Sequence, residues 1–399
     1  MLNEHGLRHT GAVRIALVHY SYAPVIAGVE LVMAEHARLF GQAGHEVTVV
    51  CGRGAPTAHE RVVEMEEMRD GAAANIEALE TKLRELFTSH DVVMLHNVMT
   101  MHFHPPLTAA LWKLADEMTA VRFICWIHDL AACNPDYAPL PLDRAPWNLL
   151  AQVHPRVSYV AVSELRRRQF LELTAQPPDR CRTIPNGVDP IRVFDLPPRV
   201  AELAQSHGLF ERDIVLLHPA RLLRRKNIEL TLHVTAALNA AGHSCACLIT
   251  APPEIHHSAS YDYETGLREL RERLGLAFDA LFLNDAAPLP DYELRGIFTL
   301  ADALFFPSRQ EGFGLPLLEA ALHRLPIFCS DIEPLNTLLG GSVITFAPDA
   351  APDELAALIA RTLNANPAHA ARKQTLRNFS WDAICRNFLS PLLAETETR

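Results

Sequence analysis

Short apolar runs alternate with longer stretches of helical spacing along most of the chain. Runs of this length are typical of strands that are buried on both faces of a parallel sheet. The alternation stops near the middle and starts again, which predicts two α/β domains. The predicted strands are residues 13–19, 46–51, 91–95, 121–127, 159–162, 214–218, 246–250, 280–283, 303–306, 326–329 and 343–346.

Helical spacing of apolar residues follows most of these strands. The predicted helices are residues 29–40, 75–87, 228–241, 267–274, 291–300 and 316–324. Ser163 and Ser380 are predicted to cap two further helices. The first strand, loop, helix and strand form a predicted βαβ unit. Gly28 lies where its helix begins, so its backbone either approaches a ligand or simply makes the turn.

The stretch at 307–320 gives the strongest indication of function. It is predicted to begin at the end of a strand, to continue as a glycine-containing loop and to end in the first turns of a helix. Ligands bind at the carboxyl ends of strands in open α/β sheets, and a helix N-terminus favours an anion. Glu311 and Glu319 flank Gly312 and Gly314, and carboxylates accept hydrogen bonds from sugar hydroxyls. The pattern favours a nucleotide-sugar site, although the glycines alone also fit an ordinary strand-to-helix turn.

A second group of charges lies between the strand at 214–218 and the helix at 228–241. Arg221 and Lys226 are placed to bind a diphosphate, because arginine chelates phosphate oxygens and lysine adds a point charge. Arg224 and Arg225 are expected to be surface charges.

Histidines follow two strands of the first half. His128 and Asp129 end the strand at 121–127, where they form either a structural pair or a substrate contact. His96, His102 and His104 lie after the preceding strand, and their spacing of six and two residues matches no recognisable zinc pattern. We therefore expect a loop that lines the substrate site and no metal. The proline-rich stretch at 130–149 is expected to be an acceptor-side loop.

Composition narrows the class of protein. The formal net charge of −11 over 399 residues argues against non-specific nucleic-acid binding. The eight cysteines form no Cys-x-x-Cys pair and are expected to be reduced. The start of the chain lacks an apolar signal core, and no apolar run is long enough to span a membrane. We therefore expect a cytoplasmic enzyme without an integral membrane segment; the oligomeric state cannot be predicted.

These motifs together resemble the retaining glycosyltransferases of family 4, which have the GT-B fold. Glu311 and Glu319, with seven residues between them, match the family's E-x7-E signature. Further similarity occurs in the family's order at residues 27–30, 44–47, 128–129, 185–189, 221–226 and 379–381. Ala27, Ala220 and Asn227 stand where the family has glycine. Prolines replace the family's glycine-rich turn at 251–253, so the sequence does not identify the nucleobase of the donor.

The resemblance implies two Rossmann-like domains that face each other across a cleft. Residues 1–186 would form the acceptor-side domain, residues 187–378 the donor domain, and residues 379–399 a helix that crosses back. The implied reaction is hexosyl transfer, with retention, from a nucleoside-diphosphate sugar to a small hydroxyl acceptor such as a soluble sugar. No cofactor and no metal are expected.

The resemblance also assigns the residues. Arg221 and Lys226 would hold the donor diphosphate, Glu311 the sugar hydroxyls and Glu319 the ribose, while His128 would contact the donor sugar. The remaining expected contacts are Gly28, Gly312, Phe313, Gly314 and Leu315 toward the donor and His96 and Asp129 toward the acceptor. The alternatives are a non-catalytic nucleotide-sugar-binding protein, a GT-B epimerase or phosphorolytic enzyme, and a hydrolase with a metal bound by His96, His102 and His104.

Overall fold

The computed structural model describes residues 11–69, 76–137, 139–250, 258–283 and 289–395. The chain divides into two compact units. Unit 1 comprises residues 1–188 together with 379–399, and unit 2 comprises residues 189–378. Each unit is a parallel sheet covered by helices on both faces, so the predicted α/β class with two Rossmann-like halves is confirmed.

Unit 1 contains a seven-stranded sheet in the order β3-β2-β1-β4-β5-β6-β7, and every neighbouring pair is parallel. Its strands are β1 Arg14–Ser21, β2 Glu46–Arg53, β3 Arg61–Glu64, β4 Val92–His96, β5 Arg122–Ile127, β6 Val157–Ala161 and β7 Cys181–Thr183. Its first helices are α1 Gly28–Gln42, α2 Ile76–Phe87, α3 Pro105–Glu117 and α4 Glu164–Thr174.

Unit 2 contains a six-stranded parallel sheet in the order β10-β9-β8-β11-β12-β13. Its strands are β8 Ile214–His218, β9 Cys245–Ile249, β10 Ala280–Phe282, β11 Ala303–Phe306, β12 Ile327–Ser330 and β13 Ile344–Phe346. Its helices are α5 Pro190–Val193, α6 Pro198–Ser206, α7 Ile228–Ala240, α8 Ser258–Arg273, α9 Asp291–Leu300, α10 Leu315–Leu322, α11 Leu335–Leu338, α12 Pro352–Asn364 and α13 Pro367–Phe379, which ends at the unit boundary.

Each sheet carries one apolar layer on each face. In β1, Ala16 and Val18 belong to the layer on one face, while Ile15 and Leu17 belong to the layer on the other. This alternation follows from the two-residue period of a strand. Because both faces are covered, the strands consist of continuous apolar runs, which is why the sequence predicts most of them correctly.

The structure adds elements that the sequence pattern did not predict. β3 lies at the sheet edge and is only half buried, so it lacks a continuous apolar run. β7 has three residues, of which only Cys181 is buried, so it also lacks an apolar run. α8 begins at Ser258, earlier than the predicted helix at 267–274, and the prolines at 251–253 lie outside the described part of the chain.

The C-terminal segment belongs to unit 1. It contains α14 Trp381–Ile384, a π-helical turn at Cys385–Leu389 and α15 Ser390–Ala394. Ser380 caps α14 as predicted, since its hydroxyl accepts a hydrogen bond from the Ala383 N–H at 3.2 Å. Gly187 allows the Trp381 ring to pack closely, because a Cβ at this glycine would lie 2.6 Å from that ring.

All eight cysteines are free, and six of them are buried. Burial raises the pKa of the Cys51 thiol to about 11, which leaves it protonated at neutral pH. Within the described ranges, no helix is long and apolar enough to cross a membrane.

Candidate functional site

The unit 2 site lies where the strand order of the sheet changes direction. After β8 the chain continues to β9 on one side, whereas β11 is the neighbour on the other side. Such a switch point leaves a crevice at the carboxyl ends of the two strands, and ligands of open α/β sheets bind there. The loop with Arg221 and Lys226 follows β8, and the loop at 307–314 follows β11. The fold therefore brings together the two groups that the sequence singled out.

A buried ion pair joins these two loops. Lys226 Nζ contacts Glu311 Oε1, and the two side chains are 11% and 8% exposed. The Ser308 hydroxyl donates to the same carboxylate oxygen at 2.6 Å. Lys226 also lies 4.9 Å from the centre of the Phe306 ring. Burial lowers the pKa of Lys226, although Glu311 opposes that shift. An ammonium has three N–H donors, so Lys226 can hold Glu311 and still donate to a ligand.

Arg225 is exposed, as expected of a surface charge, and it also has a structural role in this site. Its guanidinium donates to the Gln310 carbonyl at 3.0 Å and lies 3.6 Å from Glu311 Oε2. Its own carbonyl accepts a hydrogen bond from the Arg309 N–H at 2.7 Å. The two loops are therefore bonded to each other on both sides of the ion pair. Sequence reasoning missed Arg225 and Ser308 because no local pattern shows which loops pair in space.

Unlike the buried Lys226, Arg221 has an exposed side chain. Within the described part of the chain, its guanidinium forms no ion pair, yet it is near enough to lower the pKa of Lys226. Asn227, which stands where the family has glycine, has a φ of 56°. Asparagine adopts this left-handed conformation at low cost, so the departure preserves the backbone of the loop.

The glycine loop presents its backbone to solvent at the start of α10. Gly312, Phe313 and Leu315 are exposed, and Glu319 is exposed one turn into the helix. Gly314 precedes the first helical residue with a φ of 99°, and its side-chain position is closed by Leu335. The sequence predicted these residues as one site, and the structure places them together on one loop and helix start.

Replacing Gly314 with alanine is expected to lower the melting temperature by about 2–8 °C. Alanine at this φ costs about 1–2 kcal/mol, and its Cβ would lie 2.7 Å from Leu335 Cδ2. Gly312→Ala is the matched control, because it has no positive φ and no heavy atom lies within 4 Å of the position that its Cβ would take. Calorimetry of both variants checks the expectation, and equal melting temperatures would contradict it.

Unit 1 has its own switch point, between β1 and β4. Three histidines lie at the carboxyl ends of β1, β4 and β5. His96 Nδ1 is 3.0 Å from His128 Nε2, so one of the two nitrogens carries the proton. The His19 ring bonds the His96 carbonyl at 2.8 Å. Burial lowers the pKa of His128 to about 3 and that of His96 well below its usual value, which leaves both rings uncharged at neutral pH.

His96 lies beneath His128. Its side chain is fully buried, so it reaches a ligand only through the His128 ring. Asp129 is held in the protein: its Oδ1 lies 2.9 Å from Arg166 NH2, and its Oδ2 accepts from Asn134 at 3.1 Å. Both residues remain predictions as acceptor contacts, and the geometry makes each of them a support for His128 and its loop.

Gly28 is exposed at the first position of α1. The preceding Ala27, a departure from the family's glycine, has an extended backbone with a φ of −143°. An extended backbone suits any residue, so alanine causes no strain there. Glu30 follows in the first turn, is buried, and accepts a hydrogen bond from Ser21 at 2.5 Å. This end of α1 therefore joins the polar cluster at the switch point.

The three histidines considered for a metal have separate environments. His104 caps α3, since its Nδ1 accepts from the Leu107 N–H at 2.9 Å. His102 packs against Tyr137, with ring centres 4.4 Å apart, while His96 faces His128. Among the residues that the structure describes, no group of three or more metal-ligating side chains is assembled.

Two family models match the chain, one for each half. Residues 26–192 match the model of glycosyltransferase family 4, and residues 200–379 match that of glycosyl transferases group 1. The chain is 24% identical to mannosylglucosylglycerate synthase of Thermotoga maritima over 81% of this chain and 83% of that protein. It is 26% identical to D-inositol 3-phosphate glycosyltransferase of Nocardia farcinica over 65% of this chain and 56% of that enzyme. A Rickettsia africae glycosyltransferase structure aligns with a TM-score of 0.40 and 18% identity, covering 98% of this chain and 100% of that one.

Proposed function

The chain belongs to glycosyltransferase family 4, its second half matches the glycosyl transferases group 1, and from this premise we propose its reaction. The protein transfers a hexosyl group, with retention, from a nucleoside-diphosphate sugar to a hydroxyl of a small soluble acceptor. The observation that carries the proposal is the group of cations at the unit 2 switch point, where Arg221 is exposed and Lys226 is anchored on Glu311.

This arrangement suits the stabilisation of a departing diphosphate. Negative charge grows on the leaving phosphate as the glycosidic bond breaks, and fixed cations lower the energy of that state. Lys226 is held in place before the donor arrives, and the guanidinium of Arg221 can fork onto phosphate oxygens. Gly312, Phe313 and Leu315 are exposed at the N-terminus of α10, which favours the same anion. These groups supply the positive charge, so the proposed reaction needs no metal and no cofactor.

The remaining donor contacts are proposed for the two glutamates. Glu311 would orient the sugar hydroxyls from the oxygen that Lys226 does not occupy, and the exposed Glu319 would bind the ribose. No protein nucleophile is assigned, so the leaving phosphate oxygen takes the acceptor's proton.

Unit 1 is proposed to supply the acceptor side. His128 would contact the donor sugar as a neutral imidazole, with His96 fixing the position of its proton. Asp129 would hold the His128 loop through Arg166, and Gly28 would leave room for substrate at the start of α1.

The test is binding and slow hydrolysis across UDP-, GDP- and ADP-sugars. We expect one donor to bind and to be hydrolysed slowly, and Glu311→Ala to abolish that hydrolysis by releasing Lys226. Glu354→Ala is the control, because Glu354 is an exposed carboxylate of α12 in the same unit. A donor that binds without hydrolysis, and without transfer to any acceptor, would identify a non-catalytic binding protein. Failure of every nucleotide sugar to bind would refute the interpretation of the unit 2 loops.

A further inference from the structure

A cavity of about 470 Å³ with charged and apolar lining residues lies at the carboxyl edge of the unit 1 sheet, beside β2 and β3. It is separate from the histidine cluster, and the motifs assign no role to it. Its lining consists of Pro24, Arg53, Gly54, Ala55, Glu64 and Arg69.

The walls of this cavity are fixed by backbone contacts. The Tyr22 N–H donates to the Arg53 carbonyl at 2.8 Å, and the Ala55 N–H donates to the Ala23 carbonyl at 2.7 Å. The backbone at Arg69 passes very close to Gly52. A Cβ added to Gly52 would lie only 2.7 Å from the backbone nitrogen of Arg69. The cavity is therefore bounded by hydrogen-bonded loops and by a close backbone crossing.

Two arginines face the cavity with different partners. Arg69 is already engaged: its Nε donates to the Gly52 carbonyl at 2.8 Å, and its NH2 group binds Glu64 at 2.6 Å. That hydrogen bond lowers the pKa of Glu64, so the carboxylate stays charged and keeps Arg69 occupied. Arg53 is exposed and near enough to Glu64 to contribute to its lowered pKa, but in the described ranges of the chain its guanidinium forms no ion pair within 4 Å. One cation at this edge is thus available to a ligand.

The cavity lies next to the polar cluster at the unit 1 switch point, one strand away from it. Arg53 pairs in register with Ser21 on the neighbouring strand, which places them about 4.8 Å apart. The Ser21 hydroxyl donates to Glu30, and Glu30 lies 3.9 Å from His19. The histidines of that cluster are uncharged at neutral pH, so they cannot neutralise an anion. Arg53 supplies the charge that they lack.

We propose that Arg53 binds an oxyanion of the acceptor, a carboxylate or a phosphate, in this cavity. The proposal rests on the proposed glycosyltransferase function and adds a substrate class to it: the acceptor is a hydroxylated acid or a phosphate ester, and the protein discriminates against its neutral analogue. A guanidinium suits this task, because its planar fork bonds two oxygens of either anion.

The test is a calorimetric titration of the whole chain with D-glycerate, inorganic phosphate and neutral glycerol. It needs no donor, and all variants are compared in the Arg221→Gln background, which lacks the exposed cation of the unit 2 site. We expect at least one of the two anions to bind more tightly than glycerol. Adding Arg53→Gln should lower the affinity for that anion about tenfold to a hundredfold, and Arg53→Lys should lower it less. The preferred anion distinguishes a carboxylate acceptor from a phosphorylated one.

Arg61→Gln is the matched control, since it removes the same charge at the exposed amino end of β3. Unchanged affinity in this control together with the Arg53 effect supports the subsite. The proposal is overturned if glycerol binds as tightly as both anions, or if the Arg53 and Arg61 variants behave alike. Failure of the glycosyltransferase function itself would appear in the donor assays, as a chain that binds no nucleotide sugar.

Discussion

Replacing Lys226 with alanine is expected to slow glycosyl transfer about a hundredfold to a thousandfold, the usual cost of removing one preorganised charge from a transition state. Lys226 is positioned by its contact with Glu311 and by the Phe306 ring, so its charge is in place before the donor binds. The measurement is kcat for transfer, or for donor hydrolysis until the acceptor is known. We expect kcat to fall more than donor affinity, since charge on the diphosphate grows during the reaction.

The control for Lys226 is Arg224→Ala. Arg224 belongs to the same short helical turn, but its guanidinium lies over the Tyr263 ring, with 5.0 Å to the ring centre. Activity within about threefold of the intact chain is expected for this control, because surface substitutions usually have small effects. A Lys226→Ala chain of normal activity would refute the proposed role.

The pH dependence of the reaction offers a second check on Lys226. Burial lowers the pKa of this lysine below its usual value. The ammonium therefore loses its proton at a lower pH than an ordinary lysine, and activity should decline as the pH rises into the alkaline range.

Replacing Asp302 with alanine is expected to lower the free energy of unfolding of unit 2 by about 3–5 kcal/mol, because it leaves a buried cation without its partner. The Asp302 side chain is fully buried, and its Oδ2 lies 2.6 Å from Lys373 Nζ. The same oxygen accepts the Val215 N–H at 2.8 Å, and His369 lies 3.5 Å from Oδ1. Urea denaturation of the intact and variant chains measures the difference.

A double variant separates the lost charge from the lost packing. Asp302→Leu combined with Lys373→Met removes both members of the pair and should recover much of the stability, since an apolar replacement of a buried ion pair is often neutral. A single variant that costs less than about 1 kcal/mol would show that solvent reaches the site and screens the charges.

The Asp302 effect should also depend on pH. Burial acts to raise the pKa of this carboxyl, but His369, Lys373 and Arg372 together hold it below its usual value. A carboxylate with a lowered folded-state pKa stabilises the protein above the unfolded value of about 4, and that contribution is lost as the pH falls further. The difference between the intact chain and Asp302→Ala is therefore full at neutral pH and shrinks in acid.

Much of the fold was predictable because both sheets are buried on two faces. β8 and α9 have the predicted bounds, Ile214–His218 and Asp291–Leu300. The predictions were incomplete where burial is partial or an element is very short, as in β3 and β7. Local polarity does not distinguish a half-buried edge strand from a loop, so those elements depend on the neighbouring strand.

The sequence by itself determined the α/β class, the two-part organisation, the family and the loops that carry charge. These follow from local patterns: apolar runs, glycines at strand ends and the spacing of Glu311 and Glu319. Only the tertiary structure decided which charges meet. Lys226 and Glu311 are 85 residues apart in the chain, and His96 and His128 are 32 apart. Strand order across a sheet brings such residues together, and that order depends on long-range packing that no short stretch of sequence encodes.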